Sequence, residues 1–146
     1  MTLDHAAIAE RVPHAGRMCL LHTLEACDDD SVHCTAVTHG DPQHPLRTGA
    51  GLLAPVAIEY ASQAMALHAT LAAPAGTPPR AGFLASARGV VCHVARLDTA
   101  PSPLHVKATR LLGDARQAQY RFSLSDGRGR LLVEGRATVV LDGQPQ

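Results

Sequence analysis

One long stretch of this chain carries a helical hydrophobic period, and every long stretch after it carries a strand period. Residues 55–72, PVAIEYASQAMALHATLA, place Val56, Tyr60, Gln63, Leu67 and Leu71 on or near one stripe. The many alanines favour helix and allow close approach to a sheet, and Pro55 suits a first helical turn. Pro74, Gly76, Pro78 and Pro79 then form an exit linker. Strands are predicted over 80–94, 104–113, 117–125 and 130–140. Leu104, Val106 and Ala108 alternate with His105, Lys107 and Thr109; Tyr120, Phe122 and Leu124 alternate with Arg121, Ser123 and Ser125. SDGRG at 125–129 and Gly113–Asp114 supply hairpin turns. Ahead of the helix, residues 3–11 predict a short helix with Ile8 inward. Met18–Ala26 and Val32–Thr38 predict two strands around an Asp28–Asp30 turn. An antiparallel sheet needs one face covered, and a single helix can cover it. The expected fold class is α+β, one domain over 1–146 with a loose tail at 142–146.

Composition narrows the functions. Lys plus Arg equals Asp plus Glu, at 13 each, so nothing implies a nucleic acid or an anionic membrane. An apolar content of 46% argues against disorder. No apolar run approaches the roughly 20 residues that span a bilayer. The N-terminus lacks a basic, apolar, small-residue leader, which predicts a cytoplasmic protein. Cys19, Cys27, Cys34 and Cys92 alternate with polar residues in expected strands and are read as buried free thiols; metal binding is not expected, because no CxxC pair and no HExxH motif occurs. His39 lies near His44, but a third metal ligand at compatible spacing is missing.

The loop 39–54 is broken by Gly40, Pro42, Pro45, Gly49 and Gly51, and long ordered loops are often functional. It carries His44, which lies 15 positions before Glu59 near the helix start. A neutral imidazole can accept a proton near neutral pH, and a carboxyl kept protonated by apolar surroundings can donate one. Backbone N–H groups near Ala54 and Val56, at the helix start, are placed to meet a developing oxyanion. The plainer readings stay open: Glu59 as a carboxylate satisfying free helix-start N–H groups, His44 as an ordinary loop histidine. Gln63, one turn after Glu59, orients that carboxylate or anchors the helix to a neighbouring loop. His14 is read as turn packing or the mouth of a site, and His68 as peripheral on the helix.

The segments resemble one family in order and spacing. VPHAGRMCLLHTL is similar to the PHRxPMxLLDxV opening of β-hydroxyacyl-carrier-protein dehydratases. HPLRTGAGLLAPVAIEYASQAMA is similar to their HFPGxPxMPGxxxxEAMAQ segment. RAGFLASARGV resembles the GFLLGTRxx strand of a dehydratase-like branch associated with aryl polyene clusters. The resemblance spans roughly residues 8–139. It departs at HPLR in place of HFPG, at LLAPVA in place of the MPG entrance, and by one extra residue between His44 and Glu59. Ala54 stands where the family has the glycine whose N–H contacts the thioester carbonyl.

The resemblance implies a hotdog fold, a curved sheet wrapped around one helix. It implies His44 and Glu59 as the catalytic pair, contributed by two subunits to each site, with Gln63 in support. The implied reaction turns a 3-hydroxyacyl-[acyl carrier protein] into a trans-2-enoyl thioester, in fatty-acid-like or aryl polyene synthesis. No metal or redox cofactor is implied; the acyl group arrives on the phosphopantetheine of an acyl carrier protein. Arg80 and Arg88 are candidates for the phosphate or the acidic carrier, Gly82 for close approach to the acyl tunnel, and Phe83 or Leu84 for its lining. A homodimer is expected, or a heterodimer with another hotdog chain. Competing readings are an acyl thioesterase, with Glu59 activating water, and a non-catalytic partner subunit.

Overall fold

Aspartates set the turns of this fold. A computed structural model of the chain describes residues 2–11, 16–72 and 82–141. In the first helix, α1 (His5–Ala9), the Asp4 carboxylate accepts the Ala7 N–H at 2.9 Å. Strands β1 (Thr23–Cys27) and β2 (Ser31–Ala36) are joined by a turn in which Asp28 Oδ1 accepts the N–H groups of Asp30 and Ser31. Asp114 does the same between β4 (Leu104–Gly113) and β5 (Gln117–Ser125). Asp126 does it between β5 and β6 (Leu131–Leu141). A short aspartate side chain that mimics a backbone acceptor closes each hairpin.

Among the described residues strand β3 (Gly82–Cys92) pairs only with β6, and the sheet order is β1-β2-β4-β5-β6-β3, antiparallel throughout. Register shifts at Leu24/Ala26, Leu84/Ser86, Arg88/Val91 and Arg110/Leu112 bend it. Gly135 lies on β6 opposite Phe122. A Cβ there would come within 3.0 Å of both the Phe122 ring and Val90. The inner face carries Leu104, Val106, Ala108, Tyr120, Phe122 and Leu124, all buried as their alternation predicts. Burying each large apolar side chain contributes about 1.5–3 kcal/mol.

The sheet curves around α2 (Ala57–Leu71), which is entered through a 3-10 turn at Ala54–Val56. Here the narrow stripe expected from sequence needs correction. Ala57, Tyr60, Ala61, Gln63, Ala64, Met65, Ala66, Leu67 and His68 are all buried, so the helix is covered almost all round. The sheet takes one side, and the segment 18–21 takes another. That second cover also corrects the first strand, which begins at Thr23 rather than Met18. Cys19, Leu20 and Leu21 are buried, and Gln63 bonds to the backbone of Met18 and Leu20.

The two sheet edges differ. β1 is shielded by a bridge from Leu3, whose N–H and C=O pair with Leu24. β3 has no neighbour on its outer side among the described residues, and Leu84 and Val91 are exposed along it. All four cysteines are free, but only Cys19 and Cys34 are buried; Cys92, expected inside, is exposed on the edge strand. Burial pushes the Cys34 thiol up to about 12. No helix among the described residues is long and apolar enough to cross a membrane.

Candidate functional site

The loop that carries His44 is held by a residue nothing in the sequence singled out. Asp98 lies in the connection between β3 and β4, and its side chain is 5% exposed. It accepts the Leu52 N–H at 3.0 Å and pairs with Arg96 at 2.5 Å and Arg47 at 3.5 Å. The bonds from Arg96, and after them the Leu52 N–H, keep its carboxyl well below the usual carboxylate range. Gly51, at φ +99, runs so close to this clamp that a Cβ would meet Arg96 and Asp98 below 3.0 Å. The loop is thereby tied at both Arg47 and Leu52.

His44 is 5% exposed and both ring nitrogens are engaged. Its Nδ1 accepts the Leu46 N–H at 3.0 Å; its Nε2 lies 3.1 Å from the Tyr60 hydroxyl. Tyr60 Oη lies 2.8 Å from Thr38 Oγ1, and Thr38 donates to the Leu20 carbonyl at 2.9 Å. The two ends of this chain fix its direction. Thr38 has one proton, spent on Leu20, so it accepts from Tyr60. Tyr60 has then spent its own proton and accepts from His44 Nε2–H. Nδ1, which takes an N–H, carries none. The tautomer of His44 therefore follows from its neighbours. Burial pulls the imidazole below its ordinary value; Asp41 opposes this, and His39 and Arg47 add to it. Burial also raises the Tyr60 hydroxyl to about 12, so it stays protonated.

The same network continues to Glu59. The Leu20 N–H donates to Gln63 Oε1 at 2.8 Å. Gln63 Nε2 donates to Met18 O at 2.6 Å and to Glu59 Oε1 at 3.3 Å. Gln63 thus bonds both the Glu59 carboxyl group and the backbone of the 18–20 segment. Glu59 and Tyr60, adjacent on a helix, point about 100° apart. Within one chain, His44 and Glu59 are joined through Tyr60, Thr38, Leu20 and Gln63. Tyr60 and Thr38 were missed as site residues. The available signal was a hydroxyl-tipped aromatic beside Glu59 in an otherwise Ala-rich helix.

His44 also lines a cleft of about 210 Å³ with His5, Arg17, Cys19, Thr38 and Asp41. Arg17 and Asp41 form an ion pair across it at 3.4 Å. The proposed oxyanion donors fare differently. The Ala54 N–H donates to Ala95 O and the Val56 N–H to Leu53 O, both at 3.0 Å, so neither is open to a ligand in this arrangement. Leu53 is a local partner across the 3-10 turn, whereas Ala95 is brought to Ala54 only by the fold.

Arg88 lies away from this cleft, on the outer face of β3. It stands opposite Arg136, which stands opposite Arg121, and all three are exposed. No carboxylate pairs with any of them among the described residues. A groove of about 350 Å³ lies beside this row, lined also by Gly89, Leu111, Gln119 and Thr138. Leu84 is exposed on the same strand. His14, Arg80 and the side-chain surroundings of Gly82 and Phe83 lie outside the described residues, as does the tail at 142–146.

Two further histidines are buried. His39 donates through Nε2 to Ala100 O at 3.0 Å, while its Nδ1 has no partner. No group of three or more His, Cys, Asp or Glu among the described residues is arranged to hold a metal. His68, expected to be peripheral, is 0% exposed. Its Nε2–H donates to Asp28 O at 2.9 Å, so its Nδ1 accepts the Tyr120 hydroxyl proton at 2.7 Å. It pins α2 to β5 and to the β1–β2 turn.

The sequence model of the ApeP-like family, described as ApeP dehydratase, matches residues 6–146. No curated protein sequence matches the chain. Among solved structures, the dehydratase heterocomplex ApeI:P from Xenorhabdus doucetiae is similar at 26% identity and a TM-score of 0.76. The match covers 95% of this chain and 91% of that one. Thioesterase HI1161 from Haemophilus influenzae is similar at 12% identity and a TM-score of 0.70, covering 100% and 95%. A point mutant of thioesterase PA1618 from Pseudomonas aeruginosa is similar at 15% identity and a TM-score of 0.62, covering 83% and 80%. The two thioesterases share the hotdog fold with this chain.

Proposed function

The chain belongs to the ApeP-like dehydratase family, and on that premise we propose that it dehydrates 3-hydroxyacyl thioesters carried on an acyl carrier protein. The observation that supports this reading is the hydrogen-bond network that links the His44 imidazole to the Glu59 carboxyl group through Tyr60, Thr38, Leu20 and Gln63. The C2–H bond breaks and its proton passes to His44. The C3–O bond breaks and its oxygen takes the proton of the Glu59 carboxylic acid. The products are water and a trans-2-enoyl thioester, and no metal or redox cofactor enters the balance. Aryl polyene or fatty-acid-like synthesis is the setting that the resemblance favours.

Completion of the site is proposed to need a second hotdog chain. Within one subunit His44, on the 39–54 loop, and Glu59, on α2, are linked through Tyr60, Thr38, Leu20 and Gln63, which supports a site that draws the two residue types from two subunits. The bare edge of β3 supports pairing into a continuous sheet. The Xenorhabdus relative is a heterocomplex, which supports a related chain, rather than an identical one, as partner.

The test is incubation with a short 3-hydroxyacyl carrier protein, with and without candidate hotdog partners, followed by intact-carrier mass spectrometry. Loss of one water by the wild type, absent in His44→Ala and Glu59→Gln, is the expected result. Loss of the whole acyl group identifies a thioesterase. Dehydration that survives both substitutions in the presence of a partner identifies this chain as a non-catalytic subunit.

A further inference from the structure

His44 is followed by Pro45 and Leu46, where the family pattern has Phe and then Pro. Moving the proline by one place changes the chemistry of the imidazole. In the family order the residue two after the histidine is proline, which has no N–H. Here it is Leu46, and its N–H sits on His44 Nδ1 at 3.0 Å. Nε2 carries the proton that goes to Tyr60. The only basic lone pair of the ring is therefore covered by the chain's own backbone.

The oxyanion donors show the complementary gap. The N–H groups of Ala54 and Val56 are both held by protein carbonyls. A carbonyl oxygen and C2 of a thioester are separated by one carbon, so the donor for one and the base for the other must be neighbours. Leu46 N and His44 Nδ1 are such neighbours.

Resting on the dehydratase reading above, we infer that the Leu46 N–H is a catalytic donor of this site, covering Nδ1 in the resting chain and uncovering it when a thioester oxygen takes that N–H instead. Binding of the carbonyl and creation of the base are then one event. The C2–H electron pair moves into the C1–C2 bond, the proton goes to Nδ1, and the resulting oxyanion keeps the Leu46 N–H. The oxyanion then collapses, expelling the C3 oxygen with the proton of Glu59. Tyr60 and Thr38 act as positioning residues, holding the ring by Nε2 while Leu46 changes partner.

The experiment replaces the Leu46 amide by an ester, using the α-hydroxy acid analogue of leucine in the full-length chain. This removes one N–H and keeps every side chain. A Pro45→Ala/Leu46→Pro variant, which restores the family position of proline, is the second form in case the ester folds poorly. Nitrogen NMR of ¹⁵N-labelled histidine gives the first readout and needs no substrate. The wild type is expected to show a protonated Nε2 and a hydrogen-bonded Nδ1; the variants are expected to move Nδ1 toward an unbonded imine nitrogen and leave Nε2 unchanged. A wild-type proton on Nδ1, or an Nδ1 signal indifferent to the ester, overturns the covering bond. The second readout is dehydration by the complete assembly. Loss of an oxyanion donor lowers kcat by about 100–1,000-fold, with KM little changed. Unchanged or faster turnover overturns the catalytic role. If the wild type dehydrates nothing in any assembly, the catalytic donor falls with the dehydratase reading, while the nitrogen signals still decide whether Nδ1 is covered.

Discussion

Replacing His68 by Phe keeps a ring of similar size between α2, β5 and the β1–β2 turn but removes both nitrogens. Two hydrogen bonds go, with unequal consequences. The Asp28 carbonyl belongs to an exposed turn residue, so water can replace the lost Nε2–H. The Tyr120 hydroxyl cannot be rescued in this way. Tyr120 is 1% exposed, and burial raises its hydroxyl to about 12, so it remains a protonated, buried donor with no acceptor. Leaving such a group unpaired costs about 1–3 kcal/mol. For a domain of this size that lowers Tm by roughly 2–12 °C. Tyr120→Phe alone strands His68 Nδ1, a weaker loss because a lone pair rather than a proton is left over. The double variant His68→Phe/Tyr120→Phe has no unpaired group and should recover most of the loss, giving a coupling energy of about 1–3 kcal/mol between the two sites. Urea unfolding at pH 7.5 for the four proteins measures it. Additive single effects, or a His68→Phe variant within about 0.5 kcal/mol of wild type, would refute the directed bond from Tyr120 to His68.

Other expectations follow from the same structure. Gln63→Leu should cost about 2–4 kcal/mol in urea unfolding, because it strands the buried Leu20 N–H and the Met18 carbonyl together. Burial holds His39, His44 and His68 below their ordinary value, so the folded chain refuses protons that the unfolded chain accepts. Stability is complete above about 6.5 and falls as pH drops below it; a urea midpoint that stays level from pH 7.5 to 5.5 would contradict this. Gly51→Ala combines a left-handed backbone with a clash against Arg96 and Asp98, and should cost more than the about 1 kcal/mol of an ordinary Gly-to-Ala strain. Asp98→Asn keeps the shape but drops the charge that holds Arg47 and Arg96. Amide exchange across 47–52 should quicken while exchange in β4 and β5 stays slow.

The elements readable from sequence were those fixed by local pattern. The alternation of Leu104, Val106 and Ala108, and of Tyr120, Phe122 and Leu124, set β4 and β5 to the residue. The Glu59–Gln63 pair was readable too, because four residues along a helix always meet. What was not readable depended on residues distant in the chain. The apolar run at 18–22 has strand composition, yet it is used to cover α2, a choice made by Gln63 more than 40 positions later. The helix looked amphipathic because alanines hide how much of it is buried, and this concealed His68. The N–H groups of Ala54 and Val56 looked open because Ala95, which takes one of them, is reached only through the sheet. The clamp on the His44 loop was invisible for the same reason: Asp98 sits 46 positions from the Leu52 amide it holds.

Arg121, Arg136 and Arg88 stand abreast on three adjacent strands of a chain with no net charge. Adjacent strands lie about 4.8 Å apart, so the row spans about 10 Å, close to the screening length of about 8 Å in physiological salt. Neighbouring strands lie within that length, so the fields of adjacent guanidinium groups overlap on this face. A molecule that is neutral on average is therefore strongly directional at close range, and the speed with which it meets an acidic partner depends on which face turns toward that partner. Dilute salt lengthens the reach of the row and quickens encounter on that face; concentrated salt breaks it into separate charges and leaves orientation to chance.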